Sequence, residues 1–153
     1  MIDLSRATPE ELAAIEPADF VEGVKAMSGR ELETLMTGPA GGPIIGSVFS
    51  RMPQIFVPER AAGATATSHW SITGLPGGGT DDWTVRVADG QCTVGRGLEG
   101  DATVGLTLGP VEFVKLITRT GNPMMMVVTG RLKATGDVAL AARLGSWFEI
   151  PTR

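Results

Sequence analysis

The sequence is short of the side chains that do chemistry. It holds one histidine, His69, one cysteine, Cys92, and only three lysines among thirteen basic residues. A single cysteine excludes an internal disulfide and fits a reducing compartment. With one histidine no His-based metal cluster can form, and one Cys plus one His is poor zinc equipment. No apolar run of about 18 residues is present to span a bilayer. Met1 to Ser5 are acidic where a signal peptide is basic. These absences lead to the expectation of a soluble cytoplasmic protein without metal or cofactor. The scarcity of lysine is compatible with a high-GC bacterial source.

Apolar capacity is what the chain does have. At 153 residues and 42% hydrophobic, it suits one domain that buries about two-thirds of its unfolded surface. Charge is spread unevenly. Residues 1–37 carry eight acids and three bases, and the remainder nine acids and ten bases, which sums to the net charge of −4. An acidic leading segment repels phosphate backbones and anionic lipid surfaces, and no basic patch interleaved with aromatics stands out, which argues against nucleic-acid binding.

Local signals divide the chain into a helical third and a sheet. Thr8-Pro9-Glu10-Glu11 has the form of a capping box with Pro at the first helical position. After the Glu16-Pro17 interruption, Phe20, Val21, Val24 and Met27 share a helical face. Ser28 to Glu31 is a second capping box, opening a helix with Leu32, Leu35 and Met36 inward. Gly38 to Pro43 reads as a stop and a loop, and Ile44 to about Ile55 as a fourth helix presenting Ile45, Val48, Phe49 and Met52. From Ala64 the period changes to two. Ala66, Ser68, Trp70 and Ile72 share one face of a first strand, and Trp83, Val85 and Val87 one face of a second. Asp89-Gly90 is a type I′ hairpin signal, with Cys92 and Val94 on the return strand. Ala102, Val104, Leu106 and Leu108 form a fourth strand. Pro110 starts a helix with Phe113, Val114, Leu116 and Ile117, and Asn122-Pro123 a short one carrying Met124, Met125 and Met126. Leu132 and Ala134 point inward from a fifth strand, Arg131 to Thr135. Asp137 then precedes a closing helix with Val138, Leu140, Ala141, Leu144, Trp147 and Phe148 on its apolar side. A sheet with one apolar and one polar face, half-covered by helices, is the α+β arrangement.

Catalytic combinations fail individually. Ser68 and His69 are strand neighbours and point to opposite faces. Cys92 alternates with core positions and reads as a small buried hydrophobe. Gly95-Arg-Gly97-Leu-Glu-Gly100 matches the dinucleotide fingerprint in letters, but a strand follows it, where a pyrophosphate requires a helix N-terminus. Asp81-Asp82 reads as solvated loop. The run Met124 to Met126 offers adaptable apolar surface of the kind found in promiscuous binding sites, and serves equally well as core filling.

Taken in order, Trp70-Ser-Ile-Thr-Gly74, Trp83 to Val87 with Asp89-Gly90, Ala102 to Leu108, and above all Gly130-Arg-Leu-Lys-Ala-Thr-Gly136-Asp137 resemble the sterol carrier protein-2 family of lipid-binding domains. The likeness covers about residues 40–150; residues 1–39 resemble, more weakly, the helical leader of longer bacterial members. The resemblance implies an α+β fold, with a five-stranded, mainly antiparallel sheet and helices on one face around an apolar tunnel. It also implies a division into a leader (1–39) and a lipid-binding unit (40–153). Carried over by position, the tunnel residues are Phe49, Met52, Phe113, Ile117, Met124, Met125, Met126, Leu140, Leu144, Trp147 and Phe148.

The implied function is binding or carriage of a fatty acid, fatty acyl-CoA or sterol-like lipid, with no catalysis and no stable membrane insertion. A transient enzyme partner is consistent with it, because some members are accessory domains to enzymes. Two alternatives stay open at the level of sequence. One is a cyclase or isomerase that works by confining a hydrophobic intermediate; the other is an interaction module with a collapsed tunnel.

Overall fold

The computed structural model describes residues 10–11, 15–38, 41–74, 79–118 and 120–149. Glu10 and Glu11 are helical, while Thr8 and Pro9 of the first capping box lie outside the described residues. Helix α1 (Pro17–Ala26) begins with proline, whose missing N–H costs nothing in a first turn. Helix α2 (Gly29–Thr37) is entered through the expected box: Ser28 Oγ accepts from the Glu31 N–H at 3.1 Å, and a Glu31 carboxylate oxygen accepts from the Ser28 N–H at 3.1 Å. Leu32, Leu35 and Met36 are buried, as the spacing requires.

Helix α3 (Gly41–Ile55) starts three residues before Ile44, so the Gly38–Pro43 stretch is not all loop. Pro43 falls in the first turn, where a proline breaks no hydrogen bond. Pro53 sits in the last turn of the same helix. A short α4 (Pro58–Ala61) follows, which the sequence pattern did not signal.

Strands β1 (Ala66–Ile72), β2 (Asp81–Ala88), β3 (Gln91–Arg96), β4 (Val104–Leu108) and β5 (Leu132–Gly136) form one sheet in the order β3-β2-β1-β4-β5. Three of the pairings are antiparallel, whereas β1 and β4 run parallel at the centre. Asp89 and Gly90 both take positive φ, 54° and 71°, the signature of the type I′ turn. Asp81 and Asp82 are not loop residues but the first two of β2. Asp81 pairs with Arg96 across the hairpin at 3.1 Å, and Asp82 accepts from Thr80 Oγ1 at 2.7 Å. Ala102 lies outside β4 and is exposed.

The inward face alternates as expected: Ala66, Ser68, Trp70 and Ile72 are buried on β1, and Val104, Leu106 and Leu108 on β4. The polar face is not bare. Thr84 Oγ1 donates to the Gly97 carbonyl at 2.7 Å and accepts from the Glu99 N–H at 3.0 Å, while His69 Nε2 meets the Glu99 carbonyl at 2.9 Å. The glycine-containing loop after β3 therefore folds over this face, which is why Thr84 is buried.

Helices α5 (Pro110–Ile117), α6 (Pro123–Val128) and α7 (Val138–Leu144), with a 3₁₀ turn over Gly145–Trp147, complete the chain. Asn122 Oδ1 caps α6 by accepting from the Met124 and Met125 N–H groups, and Asp137 Oδ1 accepts from the Leu140 N–H at 3.0 Å. Val138 is exposed rather than inward, because α7 turns Leu140 to the core instead. The end of α7 returns to the end of α3. Phe148 bridges Phe56, and the Val57 N–H donates to the Trp147 carbonyl at 2.7 Å. No described helix is long and apolar enough to cross a membrane.

Candidate functional site

Four rings meet where α3 and α5 cross the inner face of β1 and β2. Phe49 stacks on Trp83 (centroids 4.8 Å apart, planes at 12°) and on Phe113 (5.0 Å, 21°). Trp70 meets Phe49 and Phe113 edge-on at 5.9 and 5.8 Å. Helical spacing delivers Phe49 and Phe113, strand alternation delivers Trp70 and Trp83, and offset or edge contacts are the favoured geometries for such pairs.

The two indoles differ in one respect. Trp70 Nε1 donates to Ser68 Oγ at 2.9 Å, and Ser68 Oγ in turn donates to the Val85 carbonyl at 3.2 Å. Trp83 Nε1 is buried and meets no acceptor among the described residues. An orphaned buried donor costs about 1–3 kcal/mol. The Arg96 guanidinium lies 4.4 Å from the Trp83 ring centroid, a cation–π arrangement. Gly46 of α3 faces both: a Cβ there would lie 3.6 Å from Arg96 Nη2 and 3.8 Å from Trp83 Cζ2, on the N–H side of the ring. Apolar walls, one spare N–H and one cation nearby can accommodate a greasy molecule with a single acceptor group.

The residues expected to line a tunnel divide into groups. Phe49, Met52 and Phe113 are buried, and Ile117 is half-buried beside them. Met126, Leu140 and Trp147 are buried; Phe148 is half-buried against Phe56 at 5.6 Å, and the Leu144 side chain lies outside the described features. Met124 and Met125 point to solvent. A tunnel is not seen among the described side chains. Trp70, Trp83, Arg96 and Gly46 are the members that sequence reasoning passed over. Two tryptophans on the inward face were the available signal, since each buried indole needs an acceptor.

A pocket of about 250 Å³ lies apart from the rings, lined by Val24, Met27, Leu32, Lys25, Lys115 and Thr120 with Ser28 and Gly29. It is below the usual range of about 300–1,000 Å³ for small-molecule sites.

Nucleophilic chemistry finds no assembly among the described residues. Ser68 and His69 point to opposite faces, with Ser68 Oγ and His69 Nε2 engaged as given above. Burial pushes the Cys92 thiol up to about 11, away from the reactive thiolate. No group of three His, Cys, Asp or Glu able to hold a metal occurs among the described residues. Nothing there favours the confinement-enzyme alternative.

Residues 54–149 match the profile of the SCP-2 sterol transfer family. Human "Sterol carrier protein 2" is 33% identical over 69 residues, 45% of this chain but only 13% of the human protein. The structure of sterol carrier protein 2 from Yarrowia lipolytica in its apo form superposes with a TM-score of 0.54 at 27% identity, covering 69% of this chain and 88% of that one. Part of the sec-alkylsulfatase Pisa1 from Pseudomonas sp. has the same fold: TM-score 0.58 at 19% identity, over 70% of this chain and 16% of the enzyme.

Proposed function

Because this chain belongs to the SCP-2 sterol transfer family, we propose that it carries a fatty acid, fatty acyl-CoA or sterol-like lipid in the apolar interior between α3, α5 and the sheet, without transforming it. The observation that carries the reading is the unpartnered Trp83 N–H inside the aromatic cluster, with Arg96 on the ring. A ligand oxygen arriving there gives the indole its acceptor, and a carboxylate gains Arg96 Nη2 as well, Nη1 being held by Asp81. The apolar remainder displaces ring–ring contacts and is held by burial. A chain of ~12 methylenes contributes about 10 kcal/mol before the costs of association are subtracted, enough for micromolar or tighter binding. Met52, Ile117 and Met126 are suited to adjust as the rings part, methionine most of all. Leu140, Trp147 and Phe148 form the far end of the same lining. Delivery to a transient enzyme partner fits this reading.

Native mass spectrometry of freshly purified protein, followed by organic extraction, is the direct test. A stoichiometric lipid adduct is expected. Should the protein emerge bare, titration with fatty acids, acyl-CoA and sterols while following tryptophan emission is expected to show saturable change, since Trp70 and Trp83 sit in the cluster. No adduct and no response across that panel overturns the reading. Trp83→Phe sharpens it. Removing the orphaned N–H offsets part of the cost of the smaller ring, so the free protein loses about 1–2 kcal/mol. Affinity for a fatty acid falls about fivefold or more beyond any change in that for a hydrocarbon of equal length. Equal loss for both ligands places the head elsewhere.

A further inference from the structure

Six large hydrophobic side chains are exposed among the described residues, and four of them belong to the six-residue helix α6. Met124 is 72% exposed, Met125 55%, Val127 43% and Val128 75%. Packing does not require this. Among its described side chains only Met126 turns inward, against Gly121 and Lys115: a Cβ at Gly121 would lie 2.6 Å from Met126 Cε and 3.0 Å from Lys115 Cβ. The Asn122 cap and the hydrogen bond from the Arg131 N–H to the Met126 carbonyl, 2.8 Å, then hold the helix with its apolar side to solvent.

Bases cluster about it in the sequence, between the acids Glu112 and Asp137. Residues 113–136 contain four bases, Lys115, Arg119, Arg131 and Lys133, and no acid, in a chain whose net charge is −4. Lys115 adjoins the start of the helix through Gly121, Arg131 follows its last turn, and Lys133 stands on β5 just beyond. None of these three forms an ion pair with another described residue. Lys25, the remaining lysine of the chain, lines the same pocket as Lys115.

We propose that α6 docks on an anionic membrane surface, with Met124, Met125 and Val128 entering the interface and Lys115, Arg131 and Lys133 on lipid headgroups. An apolar element ringed by bases combines the two contributions that peripheral membrane binding requires. At physiological salt, charges act over about 8 Å, so bases beside the inserted side chains reach the headgroups directly. Docking is reversible, because a few side chains and charges provide no permanent anchor. The proposal extends the carrier reading by supplying the surface at which a lipid is exchanged, yet it is tested separately from ligand binding.

The test is sedimentation with vesicles of phosphatidylcholine, with and without 30% phosphatidylserine, at low and high salt. Binding is expected only to the anionic vesicles and is expected to weaken as salt rises. Met124→Ser, Met125→Ser and Val128→Ser combined should lower partitioning about tenfold or more. Lys115→Gln, Arg131→Gln and Lys133→Gln combined should lower it about 100-fold, at about fivefold per base. Leu98→Ser with Val138→Ser, which alters exposed apolar residues outside α6, should leave it unchanged. Thermal unfolding confirms that each variant is folded. Absence of binding to anionic vesicles, equal binding to both compositions, or wild-type binding by the α6 variant overturns the proposal. So does sedimentation analysis showing a dimer that the α6 variant dissociates. Lipid titration of the wild type without vesicles reports on the carrier reading alone, so either idea can fail while the other stands.

Discussion

Cys92 is a thiol that burial keeps protonated. Its pKa rises from 9.0 to about 11 through desolvation. At neutral pH its thiolate fraction is therefore about 100-fold below that of an exposed cysteine, and Ellman's reagent should label the native protein correspondingly slowly, but quickly once urea unfolds it. Stability carries the same signature. Between pH 9 and 11 the unfolded chain loses the proton that the native chain keeps, so stability falls as pH rises through that window and does not respond to this group below it. Urea midpoints from pH 8 to 11 should therefore decline more steeply for wild type than for Cys92→Ala, by up to about 2 kcal/mol at the upper end. The inward position of Cys92 was legible from strand alternation. The orphaned N–H of Trp83 was not, because alternation places a side chain on a face without saying which acceptors face it.

Elements were legible where their signals are local. Ser28 with Glu31, Asn122 before Pro123, Pro110 at a helix start and Asp89-Gly90 each place their elements within a residue or two of the observed ends. Asp81-Asp82 and Val138 were misread because hairpin register and helix rotation are tertiary properties. The outward turn of Met124 and Met125 favours one of the two readings left open for them, since an apolar string does not say which neighbours cover it. Gly136, in the family-like string before α7, has an explanation that needs three dimensions. It ends β5 at φ 79°, and a Cβ there would lie 2.5 Å from the Thr103 carbonyl oxygen. Gly136→Ala should cost about 2 kcal/mol or more, a fall of about 4–8 °C in Tm by differential scanning calorimetry. Gly130→Ala is the control: its φ is also positive at 77°, but nothing lies within 4 Å of the added atom, so the difference between the two variants isolates the steric part.

For the molecule as a whole, the order of elements was sufficient for the α+β class, because one strand pattern and one set of turns permit few arrangements. The family was legible only through resemblance of strings such as Gly130 to Asp137. The interior was less accessible: of the residues assigned to a tunnel on resemblance, Phe49 and Phe113 stack on each other, which periodicity does not announce. Whether such rings stack or part is set by a balance of a few kcal/mol that no spacing rule encodes.

The central parallel pair has a consequence for how the chain reaches this state. The β2–β3 hairpin joins residues adjacent in sequence, whereas pairing Ser68 with Val104 must close a loop of more than thirty residues. Non-local pairings of this kind slow folding, because chain entropy is lost before contacts repay it. In stopped-flow refolding, weakening β4 with Leu106→Ala should mainly accelerate unfolding, while Gly90→Ala in the hairpin turn should mainly retard folding. If both variants partition alike, the hairpin does not lead. Where it does lead, β1 passes through a stage with one edge unpaired and Trp70 uncovered, and at high expression that species, rather than the native fold, sets the tendency to aggregate.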